Sequence, residues 1–406
     1  MTAVYIDGAT PGSIRGHNRG LVMKRVFEAG RISRTQIAVD TGLTAAAISR
    51  ITRELLELNL IEEGPPVPEK GRPGRRSIEL SICSSGSYVI GIGAGAFEQS
   101  VQIATLRGDA IAHRSLELIG LDEKPAADAI IDGVTRLIKD SGLRSSTLVA
   151  CGAAVAGVVD PDTGTVITSP NFGWEKFPLK RILENELDVQ TAVESLHHAL
   201  NLAEARQGSV TSVGNILLVN AALGIGASIL ADGKIFRGGG RAAGQIGHMR
   251  VEGAREICTC GRRGCLDTVA SGHAVLTRLG LISPREQRHE HEPGDSRLLR
   301  EVMKKAEAGD SAAQAAFKTA GRNLGKALTA VRMVTDPERI VLAGPMAQVS
   351  SYVDAVRGAL FDNQTDDHSL PVLLVSNQEN DAAGTWLALE RFVFSDRLDP
   401  STFKIL

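Results

Sequence analysis

The first sixty residues place apolar side chains at helical spacing. They recur at Leu21, Val22, Val26, Phe27, Ile37, Ala38, Ile48, Ile51, Leu55 and Leu56. This spacing predicts three short helices over residues 14–63. Ser33 with Gln36 forms a capping box for the second helix, and Gly42 ends that helix before Thr44 begins the third. Such a helix, glycine turn and helix make a DNA-reading unit, although generic packing of three helices gives the same pattern.

Two short strands are predicted directly after these helices. Residues 60–63 and 77–83 have the alternation of strands, and the segment 70–76 between them reads Lys-Gly-Arg-Pro-Gly-Arg-Arg. Four basic residues on a Gly/Pro backbone suit a loop that enters a narrow minor groove, where arginine is favoured. A flexible solvated linker is the alternative. Together with the helices, the strands predict a winged helix-turn-helix domain over residues 1–82.

A repeated α/β pattern occupies the rest of the chain, residues 83–406. In each half an apolar strand enters a glycine-rich turn and a second strand leaves it. The strands predicted on this pattern are residues 88–94, 100–106, 215–219, 227–230 and 234–236. Helices that can cover the sheets are predicted at residues 126–139, 179–186, 198–205 and 312–334. Two such units predict two similar lobes, with a cleft between them that suits a phosphorylated ligand.

Composition limits the class of protein. The chain has 406 residues, 43% of them hydrophobic, which is enough for two or three buried cores. It has no long apolar run and no signal-peptide segment at its start, so a cytoplasmic location without a membrane span is expected. Five cysteines in that reducing compartment argue against a disulfide framework. Residues 1–80 carry 12 Lys/Arg against 9 Asp/Glu, a surplus of 3, so the remainder carries −5 to reach the net −2. That asymmetry suits a DNA-binding head on an acidic body, and equally a solvated basic face.

One histidine and three cysteines lie within a short segment, residues 248–265. They are His248, Cys258, Cys260 and Cys265, and they supply one imidazole and three thiolates, a complete tetrahedral set for Zn²⁺. Gly261 and Gly264 allow the backbone to turn tightly, and Arg262 and Arg263 can offset the thiolate charge. Closed four-ligand sites are structural rather than catalytic. The sequence therefore predicts a structural zinc loop, with free buried cysteines beside an unrelated histidine as the alternative.

The segment around this loop resembles the signature of a known family. Residues 244–248 read Gly-Gln-Ile-Gly-His, followed by Cys-Thr-Cys-Gly at 258–261 and Gly-Cys-Leu at 264–266. This is similar to the ROK family (repressors, open reading frames and kinases), and residues 171–174 and 336–344 resemble its sugar loop and adenosine-side strand. The resemblance implies a two-lobed, actin-like (ribonuclease H-like) sugar-kinase fold. With the winged helix it implies the repressor branch, in which a homodimer binds a two-fold DNA operator.

Three departures from the kinase pattern of that family argue against phosphoryl transfer. Kinases of the family begin the first glycine turn with Asp, where this chain has Gly93, and they place Thr in the second turn, where it has Leu223. They carry Glu-Asn-Asp after the strand predicted at 189–193, whereas this chain reads Glu194-Ser195-Leu196. Leucine cannot take a proton from a sugar hydroxyl. The resemblance therefore implies a domain without kinase activity.

The resemblance also indicates where a small effector would bind. It places sugar hydroxyls near Asn171, Ser195, Gln245, His248 and Asp267, and only Asn171 and His248 of these are the residues that the family carries. A buried sugar needs nearly all of its hydroxyls paired, and each unpaired group costs roughly 1 to 3 kcal/mol. An ordinary hexose is therefore not expected to fit. A different ligand, or none, is the alternative.

These observations together predict a homodimeric, non-catalytic regulator of transcription that acts as a repressor. The residues expected at DNA are Thr44, Ala45, Ala46, Ser49, Arg50 and Arg53 in the major groove, and Arg72, Arg75 and Arg76 at the minor groove. One alternative is a carbohydrate kinase with an accessory DNA-binding head, which an Asp at position 196 would have favoured. The other is a ligand-free regulator that acts through protein contacts.

Overall fold

The N-terminal part of the protein consists of three helices and a small antiparallel sheet. The computed structural model describes residues 11–68, 76–207, 210, 213–283, 294–362, 370–396, 398–399, 401 and 403. The elements in this part are α1 (Pro11–Ala29), β1 (Ile32–Ser33), α2 (Arg34–Thr41), α3 (Ala45–Glu57), β2 (Ile61–Pro68) and β3 (Arg76–Ile82), and the strand order is β1-β3-β2. The three predicted helices and both strands are present. The first helix is not short, because it spans 19 residues.

Local capping sets the turn between α2 and α3. The hydroxyl of Ser33 accepts the backbone N–H of Gln36 at 3.2 Å, as the capping box requires. The side-chain amide of Gln36 donates to Asp40, one turn further along α2, at 2.7 Å. Gly42 ends α2 in the left-handed region at a φ of 71°, and the Thr44 hydroxyl accepts the Ala47 N–H at 3.2 Å. The turn is therefore encoded by residues at most four apart.

The strand β2 is longer than the sequence predicts. It continues to Pro68 and contains three prolines, which cannot donate a ladder hydrogen bond. The pairing with β3 shifts register between Glu63 and Pro66, and β2 lies at the edge of its sheet. A sheet tolerates proline at edge strands and bulges. The prolines therefore led the sequence analysis to end the strand at residue 63.

The first lobe is built on a five-stranded sheet. Its strands and those of a small neighbouring sheet are β4 (Tyr88–Ala94), β5 (Gln99–Thr105), β6 (Ala110–Ser115), β7 (Leu148–Val155), β8 (Val158–Asp160), β9 (Thr165–Ser169), β10 (Trp174–Phe177) and β11 (Thr191–Ser195). The main sheet has the order β11-β7-β4-β5-β6, and the small sheet has the order β10-β9-β8. The helices in this part of the chain are α4 (Glu123–Ser141), α5 (Leu179–Leu187) and α6 (Leu196–Gln207).

The second lobe repeats that topology. Its strands are β12 (Ile216–Ala221), β13 (Ile225–Ala231), β14 (Lys234–Phe236), β15 (Arg339–Ala343) and β16 (Val372–Val375), in the order β14-β13-β12-β15-β16. In each lobe an antiparallel meander of three strands continues into two parallel strands. The helices of this lobe are α7 (Asp267–Ala270), α8 (Gly272–Arg278), α9 (Asp295–Glu307), α10 (Ser311–Thr335) and α11 (Ser350–Leu360). The predicted two-lobed α/β repeat is therefore confirmed.

The end of the chain returns to the first lobe and then reaches the N-terminal helices. The last helix, α12 (Asn380–Ala388), packs on β4 and β7 so closely that a Cβ on Gly152 would lie 2.0 Å from the carbonyl oxygen of Gly384. A π-helical turn, Leu389–Val393, follows. The ring of Phe27 then packs against Trp386 and Phe394, with centroids 5.5 and 4.7 Å apart. One apolar core is therefore shared by the two domains predicted at 1–82 and 83–406.

No helix in the described part of the chain has the length and apolarity that a membrane crossing requires.

Candidate functional sites

Helix α3 separates an inward face from an outward face. Ile48, Ile51 and Leu55 are buried in the core of the three-helix unit, as the sequence predicts. Six exposed residues lie on the other side of the helix and at its N-cap: Thr44, Ala45, Ala46, Ser49, Arg50 and Arg53. These are the residues predicted for the major groove. The structure therefore brings them together on one solvent-facing surface, which we call the α3 face.

Arg34 helps to hold α3 against its neighbours. Arg34, the first residue of α2, donates to the Thr52 hydroxyl at 3.0 Å and forms an ion pair with Glu63 at 2.6 Å. It thereby ties α2 to α3 and to β2. Of the residues predicted for the minor groove, Arg72 and Arg75 lie outside the described residues, and Arg76 begins β3 without a described side chain.

The four predicted zinc ligands converge. The ligand atoms of His248, Cys258, Cys260 and Cys265 all lie within 4.8 Å of one another. Nδ1 of His248 is 3.6 Å from Sγ of Cys258, and the sulfurs of Cys260 and Cys265 are 3.6 Å apart. A zinc tetrahedron with bonds of about 2.3 Å has edges of about 3.8 Å, so the donor set fits the ion. The cluster can therefore hold a metal.

The backbone and one arginine support this cluster. Gly261 and Gly264 adopt φ values of 80° and 74°, which favour glycine, as the sequence predicts. The guanidinium of Arg262 donates to the Cys260 sulfur at 3.5 Å. The guanidinium of Arg263 donates to the carbonyl oxygen of Arg255 at 3.2 Å, on the same loop.

A cleft of about 620 Å³ lies between the lobes. It is lined by all five residues predicted at the effector site: Asn171, Ser195, Gln245, His248 and Asp267. His248 belongs to both sites, since its Nδ1 faces the Cys258 sulfur while the residue lines the cleft. Asp267 has a structural task as well, because its carboxylate accepts the N–H of Ile225 at 2.7 Å and so holds the second glycine turn.

A charged cluster that the sequence analysis missed lies beside the cleft, which one of its members, His198, lines. Glu194 is buried at the end of β11, where it accepts hydrogen bonds from the N–H of Ser195 at 3.0 Å and from Arg237 of the second lobe. Nδ1 of His198 lies 3.2 Å from the same carboxylate. Burial acts to raise the pKa of Glu194, but the His198 hydrogen bond and the Arg237 charge outweigh it and hold the pKa below its usual value. The i, i+4 spacing of Glu194 and His198 was the available sequence signal.

His197 is wedged between the lobes beside this cluster. Its ring packs on Gly226, where an added Cβ would lie 2.0 Å from the ring nitrogen Nε2. Nδ1 is 3.5 Å from the side-chain amide of Asn220. Burial first, and the charge of His198 second, lower the pKa of His197 to about 4 even though part of the ring faces the cleft. The imidazole is therefore neutral at pH 7.

The cleft wall at the first glycine turn leaves no room for a carboxylate. Gly93 lies inside β4, and a Cβ there would be 2.4 Å from the carbonyl carbon of Asn380 and 2.5 Å from the N of Asp381. The Asn380 amide donates to the Glu98 carbonyl at 3.1 Å, across the turn that follows β4. The first turn of α12 therefore occupies the space that a kinase-type Asp at position 93 would need.

The other two departures from the kinase pattern are also set by packing. Leu223, in the second glycine turn, is fully buried in the apolar core of the second lobe. Leu196 is 2% exposed and packs with Ala154 and Leu200. Neither side chain offers a polar atom to a phosphate or to a sugar hydroxyl.

Comparison with known proteins identifies the family. The model of the ROK family matches residues 89–389. The chain belongs to the ROK family. This ROK protein is 30% identical over 332 residues to the DNA-binding transcriptional dual regulator NagC of Escherichia coli K12. The aligned region covers 82% of this chain and 81% of NagC.

Two solved structures show how far the fold is shared. A ROK family transcriptional regulator described as a homolog of the E. coli Mlc protein matches 97% of this chain and 99% of its own with a TM-score of 0.77 at 23% identity. A ROK family glucokinase from Streptomyces griseus, solved with glucose and AMPPNP, matches 74% of this chain and 98% of its own with a TM-score of 0.62 at 22% identity. The ROK protein therefore shares its two-lobed fold with this glucokinase, and nearly its whole length with this regulator.

Proposed function

We propose that this ROK protein is a non-catalytic, DNA-binding regulator of transcription that represses genes as a homodimer on a two-fold operator in the cytoplasm. The observation that carries the proposal is the α3 face, which stands free of the core on a helix whose start and tilt are fixed by caps and by Arg34. The naming of NagC as a DNA-binding transcriptional regulator supports the same conclusion.

The α3 face has the chemistry that reads base edges. Ala45 and Ala46 suit the methyl group of thymine, and Arg50 and Arg53 suit guanine or the phosphate backbone. The N-terminal end of the helix also carries a partial positive charge, which favours an approach to phosphate. On this proposal the wing arginines Arg72, Arg75 and Arg76 enter the adjacent minor groove.

The lobes act as a sensor and not as a kinase. Three separate features support this. Asn380 and Asp381 fill the space beside Gly93, and Leu223 is buried in the core of the second lobe. Leu196 occupies the position of the catalytic base of the kinases. Loss of a positioned base alone typically forfeits about 100-fold to 10,000-fold in rate. Zn²⁺ held by the His248 cluster stabilises the second lobe beside the cleft.

The effector is a small molecule other than an ordinary hexose. The carboxylate of Glu194 already interacts with His198 and Arg237. One carboxylate oxygen of Asp267 accepts the N–H of Ile225. These oxygens are therefore not free to bind a ligand. Asn171, Gln245 and the ring of His248 are left to orient a ligand. A ligand with fewer hydroxyls than a hexose leaves fewer of its own groups unpaired in this cleft.

The test is a gel-retardation titration with DNA from upstream of the gene itself, at a stated salt concentration. Arg50→Ala should weaken binding by roughly 1 to 3 kcal/mol, as expected for loss of a base or phosphate contact. Arg136→Ala, an exposed arginine on α4, is the matched control and should bind as the parent does. Equal binding by parent and Arg50→Ala would contradict the α3 interface.

A second arm addresses the cleft. The same titration with a panel of sugars and sugar derivatives should reveal any compound that shifts the DNA affinity, and a coupled ADP-release assay on the same panel should show no turnover. Sugar-dependent turnover near about 1 per second, the low end for kinases, would overturn the non-catalytic assignment.

A further inference from the structure

Three metal-binding side chains meet at the edge of the first lobe, away from the zinc cluster. His113 lies in the edge strand β6, Glu379 directly precedes α12, and Asp381 is in the first turn of that helix. One ligand atom of each lies within 4.8 Å of the other two. Nδ1 of His113 is 2.7 Å from Oδ2 of Asp381. The set joins residues that are far apart in the sequence.

Asp381 is the group that lacks a satisfactory partner. Its side chain is fully buried, and Oδ1 accepts the N–H of Ala382 at 2.8 Å. Oδ2 accepts no hydrogen bond from the described residues, and its one close polar neighbour, Nδ1 of His113, is a charged partner only when the imidazole is protonated. A buried carboxylate oxygen without a donor is expensive unless a cation neutralises it. Oδ2 therefore points to a positive ligand beside the imidazole.

The charge around Asp381 has the same implication. The pKa of Glu98 is raised, first by burial and then by the negative charge of Glu379. The charge of Asp381 adds to this effect. Arg300 and His113 act in the opposite direction. The Arg300 guanidinium, however, is occupied with the carbonyl oxygen of Phe97 at 3.2 Å and with the face of its ring. Two carboxyl groups therefore lie beside the His113 imidazole, and the charge of a third, Glu98, acts on the same region.

We propose that His113, Glu379 and Asp381 form a second metal site that binds a divalent ion of the first transition row, such as Mn²⁺. One imidazole and two carboxylates make a mixed nitrogen and oxygen set, which suits such ions better than the sulfur-rich zinc cluster does. His113 and Glu379 are exposed, so solvent or a ligand can complete the coordination sphere. Glu379 also lines the cleft between the lobes, so the ion lies at its border.

Binding of the ion would fix the start of α12. This helix begins at the cleft and leads to Trp386 and the head, so a metal at its first turn is positioned to order both. The alternative is a plain ion pair between His113 and Asp381, which needs no metal. The metal site and the ion pair differ in one measurable property, the affinity of the folded protein for a divalent cation such as Mn²⁺.

The test uses the full-length protein with its cysteine cluster loaded with zinc and Mn²⁺ as the probe. Electron paramagnetic resonance of free Mn²⁺ during a titration should show one bound ion per chain. Echo modulation from an imidazole nitrogen should be present in the bound signal. His113→Gln should remove the modulation and weaken binding by at least about tenfold, because even partners outside the ligand shell cost 10-fold to 100-fold when lost.

Two further variants keep the experiment decisive. Asp381→Asn should abolish Mn²⁺ binding at this site. If that variant does not fold, His113→Gln is the deciding variant, because the His113 side chain is 40% exposed on an edge strand and its replacement should leave the fold intact. Glu117→Gln, an exposed carboxylate two residues beyond β6, is the matched control and should bind Mn²⁺ as the parent does. No binding by the parent below about 1 mM, or unchanged binding and modulation in His113→Gln, would overturn the proposal.

Discussion

The histidine wedged between the lobes should make the protein less stable in mild acid. His197 has a pKa of about 4 in the folded chain and an ordinary value of 6.5. The folded pKa is the lower one, so the unfolded chain binds a proton first as the pH falls. The contribution of His197 is therefore fully present above about pH 7, and it is lost progressively between pH 6.5 and pH 4.

The size of this loss follows from the two pKa values. Linkage of one proton gives a loss of about 2 kcal/mol in the free energy of unfolding at pH 5, and almost none at pH 7.5. His197→Gln keeps a side chain of similar length against Gly226 but cannot titrate. The stability difference between parent and variant should therefore shrink by about 2 kcal/mol when the pH is lowered from 7.5 to 5.

Urea unfolding followed by tryptophan fluorescence measures this difference. Trp174 and Trp386 both pack in or against the first lobe, which carries His197. Contributions of all other titrating groups are common to both proteins and cancel in the comparison. If parent and variant lose the same stability between the two pH values, the pKa of His197 is the same in the folded and the unfolded chain. The enclosure of His197 would then be refuted.

Three further predictions concern the metal, the wing and the first glycine turn. Cys260→Ser should lower both the zinc content and the melting temperature, because metal binding and folding are linked; a protein purified without chelators that contains no zinc by elemental analysis would contradict it. Replacing Arg72, Arg75 and Arg76 together by Ala should make the log-log salt dependence of DNA binding shallower by roughly 2 to 3 units, and an unchanged slope would remove the wing from the interface. Gly93→Asp should lower the melting temperature, since overpacking against Asn380 costs about 1 to 3 kcal/mol, and it should not create ADP release from any sugar.

Prediction from the sequence worked best where the relevant residues are neighbours in the chain. The cap bonds at Ser33, Gly42 and Thr44 join residues at most four apart, so residue types alone indicated the turn. The ligand set of the zinc cluster is likewise contained in 18 residues, from His248 to Cys265. Strand β2 shows the limit of this reasoning, because its prolines are tolerated only on account of its place at a sheet edge.

The sequence by itself determined the helix-turn-helix elements, the duplicated α/β pattern and the cysteine cluster, because periodicity, capping and ligand spacing are local properties. Only the tertiary structure decided which distant residues meet. Asn380 and Asp381 reach Gly93 and His113, Arg237 reaches Glu194, and Phe27 reaches Phe394. The sequence analysis predicts no helix at α12, and seven of its nine residues are buried, so local periodicity does not indicate the surface on which it packs. The surface on which α12 packs depends on how all the layers pack at once. Here the helix occupies the place of a kinase carboxylate and connects the cleft to the N-terminal helices.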